Sequence, residues 1–167
     1  MFTQVFAEDL TKEQSDALAK EVENVKKIAA DPKIVEAVKA VNAAALADYK
    51  DMTDAKWKEL PVLDPKVRYF SKNPAGEVLK SKKMDSTSEM FVNAADGSKV
   101  AFISKTSSWI HKGKAKHDDP LAGKAWQGKV EMDDSTGLKS IQVAVPVLDG
   151  AKAIGSMTAG FAVTKLK

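Results

Sequence analysis

The chain has 167 residues, enough for one domain with a buried core and too few for two comfortable ones. Its 44% hydrophobic and 29% charged residues lie near the averages of folded soluble proteins, which argues against disorder, collagen-like repeats and coiled coil. The formal charge of +3 comes from 26 basic and 23 acidic residues that are intermixed, and Arg68 is the only arginine, so the concentrated, arginine-bearing face of a nucleic-acid reader is missing.

The lack of cysteine removes disulfides, thiolate nucleophiles, and cysteine-held zinc, iron-sulfur or haem sites. No apolar run nears the roughly 18 to 20 residues a membrane-spanning helix needs. At the start, "QVFAED" puts Val5 and Ala7 at the spacing of a signal-peptidase cut. Residues 1–7 therefore read either as the stub of an export signal or as an ordinary frayed start, and residues 8–167 as one domain.

In chain order, residues 11–29 carry a helix signal. Thr11 and Gln14 have capping-box spacing, and Leu18, Val22, Val25 and Ile28 fall on one stripe. Asp31-Pro32 then starts a second helix with Ile34, Val35, Val38, Val41 and Ala45 on its buried face. Thr53 or Asp54 caps a short helix around Trp57, which Pro61 closes. Residues 61–72 read as irregular, and Asn73-Pro74 begins a further short helix through Val78 and Leu79.

From residue 88 the period changes to that of strands. "EMFVNAADGSKVAFIS" is two apolar runs joined through Asp96-Gly97, a strong hairpin signal. "WQGKVEM", "SIQVAVPVL" and "KAIGSMTAGFAV" supply three more strands, separated by "DDSTG" and by Asp149-Gly150. Pro146 must sit where no ladder donor is needed, and Gly155 and Gly160 allow a close approach of backbone or helix. The class is α+β: a five-stranded antiparallel sheet covered by a long N-terminal helix and shorter helices.

"SEMFVNAADGSKVAFISKTSSW" followed by "DDSTGLKSIQVAVPVLDGAKAIGSMTAGFAV" resembles the Cache-type, PAS-like sensor domains of bacterial extracytoplasmic proteins. The shared features are an F-V-x-x-x-x-G-x-x-V-A hairpin, a T-S connector, a D-x-S-T turn, a Q-V-x-x-P-V strand and an I-G final strand. The likeness spans the first helix to residue 164, with only the quoted stretches specific. It implies a small-molecule pocket between the sheet and the connector after the second strand. Many relatives follow T-S with acidic and aromatic residues and then G-D-E; here Ser108-Trp109 and "HKGKAKHDD" stand instead.

The connector "SKTSSWIHKGKAKHDD", residues 104–119, holds both histidines. As a site, Trp109 and Trp126 form walls, Ser104, Thr106 and Ser107 give hydroxyls, and Lys105, His111, Lys112, Lys114, Lys116 and His117 give positive charge. Arg68 and Tyr69 join from the preceding segment, and Gln142 from the strand beyond. That set favours an anionic ligand of the carboxylate or amino-acid class. As a loop, the same lysines are simply solvated and the tryptophans pack as core. Both readings stand on sequence alone.

His111 and His117, six apart beside Asp118 and Asp119, match no common metal spacing, so neither metal nor cofactor is expected. No G-x-S-x-G, H-E-x-x-H or phosphate-cradling loop is present, and Asp133 to Thr136 suits an Asx turn, so catalysis is not expected either. The resemblance implies a periplasmic sensor module that binds a small metabolite and reports to a partner signalling protein. The alternative is a structural or interaction module of the same fold, dimerising through the N-terminal helix.

Overall fold

The computed structural model describes residues 10–133 and 137–167. The Asx turn expected at 133–136 falls largely on undescribed residues, as does the 1–7 segment. Helix α1 (Lys12–Ala29) starts from the expected capping box: the Thr11 hydroxyl accepts from Gln14 N at 3.1 Å while Gln14 Oε1 accepts from Thr11 N at 2.9 Å. Asp31 caps α2 (Pro32–Ala43) through Lys33 N. Leu18, Val25 and Ile28 of α1 and Ile34 and Val38 of α2 are buried, but Ala45 lies beyond the helix end and is exposed.

Thr53 caps α3 (Asp54–Glu59), and Asn73 caps α5 (Pro74–Ser81). The stretch expected to be irregular contains a further helix, α4 (Pro65–Lys72). Its start uses the same device as α2, an Asp cap followed by Pro at the first turn, here Asp64-Pro65 with Lys66 N donating to Asp64 Oδ1 at 2.8 Å.

The sheet comprises β1 (Thr87–Ala94), β2 (Lys99–Phe102), β3 (Trp126–Gln127), β4 (Glu131–Asp133), β5 (Leu138–Asp149) and β6 (Lys152–Ala162). Their order is β2-β1-β6-β5-β3, with β4 also on β5 and every pairing antiparallel. The third expected strand, residues 126–132, is two short strands, so among the described residues the sheet has six strands instead of five. The break falls at Gly128: its N–H still donates to Gln142 O at 2.9 Å, and the Trp126 ring turns over it, 2.8 Å from where a Cβ would stand.

Strand alternation gives the sheet two unlike faces. On one, Met90, Val92, Ile141, Val143, Val145, Met157, Ala159 and Phe161 form a core with α1, α2 and α5. On the other, the register aligns three rows: Gln142-Gly160-Glu89, Ala144-Thr158-Phe91 and Pro146-Ser156-Asn93. Pro146 lies past the start of β3, which pairs β5 only through Val143 and Ala144, so no ladder donor is lost there. Gly155 admits α2: a Cβ there would sit 2.9 Å from Val38 Cγ1 and 2.4 Å from Asn93 O.

The polar face is roofed by the connector, which folds a helix the sequence does not announce, α6 (Ala115–Leu121). Its N-cap position, Lys114, makes no side-chain cap hydrogen bond, and Pro120 sits inside it. Neither feature is a helix signal, and lysines alternating with small residues read as a solvated loop.

Candidate functional site

The roof and the polar face enclose three different environments. Beside β2, Trp109 is buried in an aromatic cluster with Tyr49, Trp57, Phe70, Phe91 and Phe102. Its ring stacks on Tyr49 at 5.4 Å and 15°. Asp54 Oδ1 anchors it, accepting from Trp109 N at 2.7 Å and Ile110 N at 3.2 Å. Burial works against ionisation of Asp54, but the amides of Ile110 and Trp109 outweigh it and hold the carboxyl below its usual range. Lys105 donates to Leu60 O at 2.7 Å at the C-terminal end of α3. The Thr106 hydroxyl donates to Ser108 O, and its carbonyl accepts from Trp57 Nε1, both at 2.8 Å. These residues build structure.

Deeper under α6 lies a buried polar network. Lys99, fully buried, donates to Asn93 Oδ1 at 2.9 Å and to His111 Nδ1 at 2.5 Å. Asn93 Nδ2 donates to Ser156 Oγ at 3.4 Å. His117 Nε2 donates to Ala95 O at 3.3 Å, so its Nδ1 accepts from the Ser156 hydroxyl at 2.6 Å. Among the described residues no carboxylate contacts Lys99, and a neutral amine has two N–H groups for its two acceptors. Burial, reinforced by Lys114 and Lys116, drives the Lys99 amine well below its ordinary value. Burial pushes His111 down to about 2 and lowers His117, so the imidazole facing the Lys99 amine is neutral.

At the β5 edge the roof leaves an open cleft of about 400 Å³. Trp126 supplies an apolar wall, while Glu89, Glu131, Lys129 and Gln142 supply polar groups. Gln142 links the cleft to the roof: Lys116 Nζ donates to its Oε1 at 3.1 Å, and its Nε2 donates to a Glu89 carboxylate oxygen. Burial lowers the Lys116 amine, with the Glu89 charge opposing.

Of the expected site residues, the structure brings Trp126 and Gln142 together in this cleft. His111 and His117 belong to the buried network, Trp109 to the aromatic core, and Ser104 and Ser107 are exposed. Arg68 is exposed on α4, and Tyr69 lines a separate, mainly apolar groove of about 510 Å³ between α2 and α5. Lys112 is exposed and Lys114 donates to Ser108 Oγ, so the connector lysines do not converge. Glu89, Lys129 and Glu131 were not anticipated. Glu89 did carry a signal, as the polar member of the alternation Glu89-Phe91-Asn93 that shares a face with Gln142.

The architecture is that of known sensor domains. The E. coli DcuS sensor domain superposes with a TM-score of 0.52 at 14% identity, covering 93% of this chain and 96% of that one. The V. cholerae histidine kinase DctB sensor domain gives 0.49 at 16% identity, covering 90% of this chain and 52% of that one. The ligand-binding domain of the Pseudomonas aeruginosa amino acid chemoreceptor PctC, in complex with GABA, gives 0.47 at 14%, covering 92% and 58%. This chain thus spans little more than half of the DctB and PctC domains. No protein-family model matches the sequence, nor does any curated protein sequence. The fold is that of a single Cache-type, PAS-like sensor domain, an α+β sheet with helices, and shares its layout with DcuS over nearly the whole of both chains. Among the described residues no helix is long and apolar enough to cross a membrane.

Proposed function

We propose that the domain is a small-molecule sensor module whose ligand sits in the cleft of Trp126, Gln142, Glu89, Glu131 and Lys129. The observation that carries this reading is the cleft itself: about 400 Å³, at the β5 edge of the polar sheet face between Glu89, Gln142 and the β3–β4 segment, with an indole wall and a few fixed polar groups. Within the carboxylate or amino-acid class, the lining favours an amino acid. A bare dicarboxylate would face Glu89 and Glu131 across the cleft, whereas an ammonium satisfies them and a single carboxylate pairs with Lys129 or Lys116.

The site is periplasmic or otherwise extracytoplasmic in this reading, and the report goes to a partner signalling protein. The alternative, dimerisation through α1, has a weaker basis because Leu18 and Val25 are buried in the molecule's own core. A thermal-shift screen of amino acids and organic acids tests the proposal. At a hundredfold excess over Kd a ligand adds about 2.7 kcal/mol of stability, an easily read shift. Amino acids should stabilise the wild type and lose that effect in Trp126→Ala. A screen in which no amino acid shifts the transition contradicts the reading.

A further inference from the structure

Among the described residues, one buried side-chain polar atom has no hydrogen-bond partner: the Thr158 hydroxyl. Thr158 is fully buried, and it occupies the middle of the polar face, between Ala144 and Phe91 in the strand register. A threonine in such a place costs stability that valine, its isostere, would not. Its neighbours in the row behind are all matched, Asn93 and Ser156 by Lys99 and His117. The row in front is Gln142-Gly160-Glu89, the inner border of the cleft. Thr158 therefore lies one row, two residues or about 7 Å along the strand, inward of the cleft's polar groups.

Lys116 reaches both rows. Its ammonium lies 5.8 Å from the centroid of Phe91, the register partner of Thr158, and holds Gln142 at 3.1 Å. The Lys116-Gln142-Glu89 chain thus closes the way from the cleft to the unpaired hydroxyl. A ligand whose charged head engages Glu89 displaces Gln142 from it and frees Lys116. Gly160, flanking Thr158 on β6, leaves the sheet surface low along that path; a Cβ there would stand 2.7 Å from Glu89 Cγ.

We infer that Thr158 is an inner subsite of the cleft, and that the ligand carries a second polar group, a hydroxyl, carbonyl or amide, about 7 Å beyond its charged head. This rests on the cleft reading above and narrows it: amino acids with a polar end group over those of equal length ending in a methyl. The geometry also explains the orphaned hydroxyl, as a group kept unpaired in the closed domain for a partner that arrives with the ligand.

The test pairs L-glutamine with L-norleucine, equal in chain length, against wild type, Thr158→Val and Thr158→Ser by calorimetric titration and thermal shift. Wild type and Thr158→Ser should prefer glutamine about tenfold, the size of one well-placed buried hydrogen bond. Thr158→Val should lose that preference, and without ligand it should melt a few degrees above wild type. If both amino acids bind and Thr158→Val leaves their ratio unchanged, the inner subsite is wrong and the cleft stands. If neither amino acid binds wild type, the subsite falls, and the thermal-shift screen of the other amino acids decides the cleft reading separately.

Discussion

At the scale of single residues, Lys99 carries the most information. A lysine with no solvent exposure normally requires a carboxylate, and here its contacts are an amide oxygen and an imidazole nitrogen. The amine is therefore kept neutral and acts as a hydrogen-bond donor that fastens β2 to the connector. Lys99→Met preserves the stem but leaves Asn93 Oδ1 and His111 Nδ1 buried without a donor, so it should cost about 2–4 kcal/mol in urea unfolding. A variant as stable as wild type would mean the amine contributes no net bonding. Lys99 was not legible as special, since in "DGSKVAF" it reads as one more hairpin lysine. Only the register shift at Val92/Asn93, which pairs Asn93 with Lys99, turns it inward.

At the scale of elements, the clearest local signals gave correct structure: the capping box of α1, the Asp-Pro start of α2, and the Asp96-Gly97 and Asp149-Gly150 turns, both glycines at positive φ. Two helices were missed for opposite reasons. Helix α4 had a legible start in Asp64-Pro65, obscured because Pro65, with Pro61, reads as a breaker, whereas α6 has no capping side chain and is held by packing on β5 and β6. The site suffered most from this. Without α6, the connector lysines fit a basic site and a solvated loop equally well; in the fold Lys112 faces solvent, Lys114 reaches Ser108 and Lys116 reaches Gln142. Packing of α2 on the sheet depends on Gly155, where an added methyl meets backbone oxygen at 2.4 Å and Val38 at 2.9 Å. Gly155→Ala should therefore cost about 1–3 kcal/mol, read as a lower urea midpoint; an unchanged midpoint would show that α2 can move away freely.

For the whole molecule, the two buried histidines set the response to acid. Both have folded-state values below the unfolded value of about 6.5, His111 at about 2 and His117 lowered by burial. Between those limits the unfolded chain binds more protons, so the histidines' contribution to stability is full above about pH 6.5 and is lost as pH falls below it, on top of the decline that the neutral Lys99 amine already gives from higher pH. With both histidines contributing, the slope approaches 2.7 kcal/mol per pH unit. His111→Gln, whose amide oxygen can still accept from Lys99, should reduce it by about one proton. Asp54, with its lowered carboxyl, adds to acid lability only below about pH 4, which separates the two causes. A flat stability curve from pH 7 to 5 would contradict the neutral buried network.

The three tryptophans allow the central claim, a ligand in the β5-edge cleft, to be tested in one spectrum. Trp57 is fully buried with its indole N–H on Thr106 O, Trp109 is stacked in the aromatic core, and only Trp126 borders the cleft. The measurement is a proton–nitrogen correlation spectrum of the labelled protein titrated with L-glutamine. The expected result is movement of the Trp126 indole signal, with the Gly128 amide and Gln142 side-chain signals, while Trp57 and Trp109 hold still. Movement of Trp109 with Trp126 unchanged would place the ligand under the connector instead, and contradict the account.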